Sequence, residues 1–294
     1  MLEHSITHYP FRSWCVHCTR GKCKASQHRI SGGSEASEVP IVGFDYAFLS
    51  DRDNKVSSDD GDTEAVSNGV MKVLVAHDSK SKTCAAIPVP QKGVDQEEWA
   101  VRESLRFLDF LGYQKLIIKT DQEEALNSPI KRVRAYRGSD TQNMIEHSPV
   151  GSSQSNVATE RRVQTIEGQI RTLRSAFEAR TGPKLETSSC MFAWLVAHVG
   201  NSITLHEVGK DGKVPFQRLR GRKLHPELIE FGERVMFQPL DHKSLGSAQP
   251  RWSEGVFVGI RMHTGEKLVA TESGVCKTRS IRRRVEAERW DPEE

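Results

Sequence analysis

Ile41-Val42-Gly43-Phe44-Asp45-Tyr46-Ala47-Phe48-Leu49 is a run of apolar, aromatic and small residues built around one acid. In an extended chain, successive side chains alternate between two faces. Val42, Phe44, Tyr46 and Phe48 then share one face, and Gly43, Asp45 and Ala47 share the other. The acid stands between small neighbours, which leaves room above it for a ligand. A carboxylate in a central strand is costly unless it is paired or bound to metal, so Asp45 is the first candidate for chemistry.

Downstream, strand signals occupy 70–77 and 83–89, and a helix is predicted over 94–111 from the spacing of Trp99, Val101, Leu105, Leu108 and Leu111. Trp99 and Trp194 read as core residues. Residues 115–120 form a short buried strand that ends at Asp121, followed by a helix over 122–135 and a strand near 143–147. The longest predicted helix is 154–179, where Val163, Ile166, Ile170, Leu173 and Phe177 recur at spacings of three and four. Ser152 and Ser153 precede it as N-cap candidates. A second, largely buried helix covers 188–206. This order predicts a mixed α/β core with helices on both faces of a sheet. After Pro215 the pattern changes to short strands at 234–238, 255–260, 266–271 and 274–279, which read as a small all-β meander or barrel.

Two further acids join Asp45. Asp121 stands at a strand's carboxyl end, where open α/β sheets usually carry their chemistry. Glu160 lies three residues before Val163, so it extends the helix's apolar stripe and is expected to point at the sheet. Acids from a strand centre, a strand end and a helix suit a two-metal site, with Mg²⁺ or Mn²⁺ clamping the attacking and leaving oxygens of a phosphoryl displacement. Taken singly, Asp121 also reads as a helix N-cap and Glu160 as a solvated helix residue.

Composition sets the remaining bounds. The chain has 294 residues and a net charge of only +3, with basic clusters at 130–137, 218–223 and 277–284 and an acidic one at 51–64. Lys131, Arg132 and Arg134 follow the Asp121 strand, and Arg161, Arg162 and Arg171 lie on the long helix. Arg282, Arg283 and Arg284 close the β segment. All nine are candidate contacts to DNA phosphates, and the plainer reading is solvated faces and salt bridges. The six cysteines lack the regular spacing of a disulfide scaffold. No signal peptide is visible, and the longest apolar run, Met191–Gly200, is far short of a membrane span. A soluble, intracellular protein with no membrane partner is therefore expected. His4, His8, Cys15 and Cys18 read as His-x₃-His-x₆-Cys-x₂-Cys, a donor set able to close a tetrahedral zinc site in a segment too small for its own core. Cys23, His17 and His28 are competing ligands.

Ser152-Ser153-Gln154-Ser155-Asn156-Val157-Ala158-Thr159-Glu160-Arg161 resembles the segment around the catalytic glutamate of copia-type (LTR) retrotransposon and retroviral integrases. Phe44-Asp45 and Lys119-Thr120-Asp121-Gln122-Glu123 resemble the two aspartate segments of that family, and the 38 residues between Asp121 and Glu160 are close to its usual spacing. His8 to Cys18 resembles the end of the family's zinc module, and Arg218 to Val235 the segment after its core. Val157 stands where the family commonly has glycine. The resemblance implies an α/β, RNase H-like catalytic core at 40–206 with a mixed five-stranded sheet. A small zinc module at 1–30 would precede it, and a linker plus a small all-β DNA-binding module at 215–294 would follow. It further implies a metal-dependent polynucleotidyl transferase with Asp45, Asp121 and Glu160 as ligands of two Mg²⁺ or Mn²⁺ ions. The reaction would be 3′-end processing and strand transfer by a homo-oligomer on nuclear DNA, and the chain a part of a Pol polyprotein. The alternatives are a catalytically decayed or domesticated DNA-binding relative and an RNase H-type nuclease, which normally lacks the His/Cys segment and basic β tail.

Overall fold

The computed structural model describes residues 2–22, 39–51, 69–121, 123–138, 141–147, 157–224, 227–240 and 248–290. Most of the acidic cluster at 51–64, and Ser152 and Ser153, lie outside them.

The apolar alternation around Asp45 becomes strand β1 (Ile41–Leu49) at the centre of a five-stranded sheet. With β2 (Met71–Asp78), β3 (Cys84–Val89), β4 (Lys115–Thr120) and β5 (Gln142–His147), the order is β3-β2-β1-β4-β5. The first three strands form an antiparallel meander, and β4 and β5 run parallel to β1. This mixed sheet is the one expected of an RNase H-like core.

The two faces of β1 feed two separate cores. Val42, Phe44 and Tyr46 pack under α3 (Trp99–Leu111) and α4 (Glu124–Arg137), against Val101, Leu108, Leu126 and Ile130. Ala47, Val73 and Val75 pack under α5 (Val157–Thr181) and α6 (Cys190–His206), against Ile166, Ile170, Leu195 and Val199. Trp99 is not core: it is 37% exposed at the start of α3, with its indole N–H donating to the Pro88 carbonyl. The far ends of β1 and β2 are held together by Thr187. Its N–H donates to the Asp51 carboxylate (3.0 Å) and its hydroxyl to the Gly69 carbonyl (2.7 Å).

Two short helices stand at the N-terminus, α1 (Leu2–Thr7) and α2 (Val16–Lys22), and α2 docks on α5. Gly21 permits that approach, since a Cβ there would lie 2.0 Å from Thr172 Oγ1 and 2.8 Å from the Gly168 carbonyl. The Gln169 amide donates to the Thr7 carbonyl (3.1 Å), and His17 shares a hydrogen bond with Ser175 (2.9 Å). Beyond α6, a short helix that the sequence did not announce, α7 (Pro215–Arg220), leads to a second sheet. It comprises β6 (Arg234–Phe237), β7 (Ser253–Ile260), β8 (Lys267–Thr271), β9 (Gly274–Thr278) and an unforeseen three-residue β10 (Ile281–Arg283). Its order is β10-β6-β7-β8-β9, antiparallel throughout. The sheet leans on α6, where His198 packs between the rings of Phe231 and Phe257 and Asn201 donates to the Ile260 carbonyl. No described helix is long and apolar enough to cross a membrane.

Candidate active site

Asp45 lies midway along β1 and Asp121 directly follows β4. These strands are parallel, with Gly43 opposite Lys119. Carried two residues further, the same register sets Asp45 beside Asp121. The first turn of α5 crosses the same face of β1, because Gly43 offers no side chain to hold it off. A Cβ at Gly43 would stand 2.0 Å from Oγ1 of Thr159, the residue before Glu160.

The three acids therefore approach one side of the sheet, and their charges are felt together. The Asp45 carboxyl is raised to about 6, chiefly by burial and then by the negative charge of Asp121, with Glu160 and Glu123 adding to the effect. The Tyr46 N–H, which donates to Asp45 Oδ1 at 2.8 Å, works in the opposite direction. An acid held this high among like charges is a group in need of a cation, and three carboxylates are the oxygen donors that Mg²⁺ or Mn²⁺ takes. The acids are not gathered to ligand-to-ligand contact. Among the described residues, only His4, His8, Cys15 and Cys18 bring one donor atom each within 4.8 Å of one another.

Glu160 departs from the sequence reading. It is exposed, and the stripe buried against the sheet runs through Thr159, Arg162, Ile166 and Ile170 instead. Ile166, Ile170 and Leu173 are buried as expected, but Val163 lies at the margin of the stripe, so Glu160, three residues before it, continues that margin while Thr159 takes the buried place against Gly43. Glu160 thus lies at the border of the buried face, beside the acids rather than beneath the helix. Sequence reasoning also missed Glu123 as a further negative charge near Asp45, and Lys92, which pairs with Glu123 and lies 4.8 Å from the centroid of the Phe48 ring. Glu123 was visible in its aspartate segment. Lys92 carries no local signal, because only the return from β3 brings it there.

The basic candidates divide into two sets. Lys131, Arg134, Arg161, Arg171 and Arg282 are exposed, with Arg282 over the Trp252 ring and Lys131 3.7 Å from Glu124. Arg132 is tied to Glu98, and Arg284 to Glu254 and Glu288. Arg283 grips the fully buried Glu233 through two nitrogens at 2.6 and 2.7 Å. Arg162 is a correction: it is buried, and its Nη1 donates to Glu207 at 2.6 Å. A guanidinium so enclosed does not face DNA.

His4, His8, Cys15 and Cys18 are all buried at the junction of α1 and α2. Cys15 Sγ lies 3.5 Å from His8 Nδ1, and Cys18 Sγ lies 3.6 Å from His4 Nε2 and 3.7 Å from His8 Nδ1. Metal–nitrogen and metal–sulfur bonds of zinc at a tetrahedral angle put nitrogen and sulfur about 3.6 Å apart, so the cluster fits zinc. Burial, with the charges of His17, His4 and Lys22, lowers the His8 imidazole to about 3 and keeps it neutral, the form that ligates.

No protein-family model matches the chain, and no curated protein matches it. Solved structures do resemble it. One is a chain of the simian T-cell lymphotropic virus intasome in complex with PP2A regulatory subunit B56 gamma, at 13% identity and a TM-score of 0.39, covering 83% of this chain and 81% of that one. Another is the HTLV-2 integrase catalytic core domain in complex with magnesium, in its trimeric form, at 13% identity and a TM-score of 0.41, covering 63% of this chain and all of that one. Its dimeric form gives 13% identity and 0.38, covering 64% of this chain and all of that one. At these values the likenesses do not carry function across; the chain's own residues must.

Proposed function

We propose that this chain is an integrase of the retroelement type, a polynucleotidyl transferase that trims the 3′ ends of element DNA and joins them to target DNA. The observation that carries the reading is the shared field of Asp45, Asp121 and Glu160, which leaves Asp45 half-buried among like charges. Two Mg²⁺ or Mn²⁺ ions bound there would polarise the phosphate and clamp the attacking and leaving oxygens. Asp45 contributes a carboxylate fixed by its strand and by the Tyr46 N–H, so it is preorganised for its ligand. Asp121 sits at the end of β4 beside the turn into α4, and Glu160 enters from the first turn of α5. No protein nucleophile is required, since water or a DNA 3′-hydroxyl attacks.

His4, His8, Cys15 and Cys18 hold Zn²⁺ in this reading, and the exposed arginines on α5 and near Trp252 meet DNA phosphates. The protein acts as a homo-oligomer on nuclear DNA, and the copia-like segments make it a part of a Pol polyprotein. Zinc analysis is expected to find one ion per wild-type chain and none in Cys18→Ser.

The central test is strand transfer with short blunt duplexes in Mg²⁺. Wild type is expected to yield joined products, and Asp121→Asn at least about a hundredfold less, the scale for losing electrostatic transition-state stabilisation. Equal yield from both, or DNA binding with no cutting or joining by the wild type, overturns the catalytic reading and leaves a DNA-binding relative.

A further inference from the structure

Arg162 is a basic residue in a place that basic residues avoid. It lies two positions after Glu160, on the first turns of α5, and is only 9% exposed. Its Nη1 donates to Glu207 Oε2 at 2.6 Å. Glu207 is the C-cap of α6, itself held by its N–H donating to the Ile203 carbonyl at 3.0 Å. An ion pair made by a buried arginine contributes little net stability compared with well-packed apolar residues, and its best-attested use is to fix one arrangement among several.

The arrangement it fixes here can be named. Thr159 and Arg162 are three residues apart and lie on one face of the helix. Thr159 is seated on Gly43 of β1, and Arg162 is anchored to the end of α6. Glu160 lies between these two anchors along the chain, about 100° round the helix from Thr159. With both anchors in place, the turn can neither roll nor slide over β1.

We propose that the Arg162–Glu207 pair is a positioning device for the acid site: it sets the rotation of the first turns of α5 and thereby holds the Glu160 carboxylate toward Asp45 and Asp121. Arg162 is then a positioning residue and not a DNA contact. This inference rests on the metal-site reading given above.

The test uses the full chain without DNA and measures Mn²⁺ binding by the electron paramagnetic resonance signal of the free ion. Arg162→Met and Glu207→Gln are each expected to weaken Mn²⁺ binding by about tenfold or more. Arg162→Lys, which keeps a charge but loses the fork, is expected to fall between them and wild type. DNA affinity in excess chelator is expected to stay within about twofold of wild type for all three, whereas loss of a phosphate contact lowers it and flattens its salt dependence. Should Arg162→Met fail to fold, the near-isosteric Glu207→Gln decides the matter. If Asp45→Asn abolishes Mn²⁺ binding while Arg162→Met and Glu207→Gln leave it unchanged, the positioning role is overturned and the metal site stands. If wild type and Asp45→Asn bind Mn²⁺ equally poorly, both the metal site and the positioning role fall.

Discussion

Asp45 is where a single side chain reveals most. A carboxyl whose folded pKa lies above its unfolded one stabilises the fold at low pH and loses that advantage as pH rises through the folded value. With the Asp45 carboxyl raised to about 6, chiefly by burial and then by Asp121, the divalent-free protein is expected to weaken between about pH 4 and pH 7. Asp45→Asn removes the ionisation and is expected to stabilise the divalent-free protein by about 3 kcal/mol at neutral pH. It is expected to match wild type near pH 4, as read from urea midpoints. A lower midpoint for Asp45→Asn at neutral pH would mean that the carboxylate is satisfied without a cation. This acid was legible in the sequence because an aspartate inside an apolar strand has few bland explanations. Arg162 was not, because a buried arginine and a DNA-facing one look alike until the helix's rotation is known. The orientation of Glu160 was misread because it was extended from Val163, which lies at the margin of the apolar stripe, whereas Ile166, Ile170 and Leu173 took the buried places their spacing assigned.

At the scale of elements, the decisive contact is a helix lying on a strand where the strand has no side chain. Gly43 admits α5, and the closest atom is Thr159 Oγ1. Gly43→Ala is expected to destabilise the protein by on the order of 1–3 kcal/mol through overpacking and to reduce strand transfer by more than that loss explains. Adding Thr159→Ala, which frees the space, is expected to recover most of both. A double-mutant cycle in thermal unfolding and in joining yield checks this, and strictly additive effects would show that the contact does not set the helix's seat. Strands β1 to β5 and helices α5 and α6 were legible to within a few residues because each has a clear period. Helices α1 and α2 were not, since their residues serve a cluster of His and Cys donors rather than an apolar face. The six residues of α7 and three of β10 are too short for periodicity to register.

Across the whole molecule, a modest net charge conceals a division of labour among arginines. The run Arg282-Arg283-Arg284 reads in sequence as one basic patch, yet Arg283 is folded onto Glu233, which has no exposure, while Arg282 is exposed over Trp252. Arg282→Ala is therefore expected to lower DNA affinity and reduce the slope of affinity against salt by about one counterion, with the melting temperature nearly unchanged. Arg283→Ala is expected to destabilise the second sheet by roughly 3 kcal/mol, because it strips a buried carboxylate of its main partner. Salt titrations beside thermal melts separate the two, and identical behaviour of both variants would sink the distinction. Composition revealed the basic blocks. Pairing across 50 residues of sequence, as between Glu233 and Arg283, is a property of the fold and leaves no local trace.

Thr187 has a consequence for what the chain can tolerate. By tying Asp51 to Gly69 it turns residues 52–68 into a span whose two ends are already joined. The entropy of closing such a span grows only with the logarithm of its length, about 0.6 kcal/mol for each doubling. The knot that holds the open ends of β1 and β2 therefore depends only weakly on how many residues separate Asp51 from Gly69.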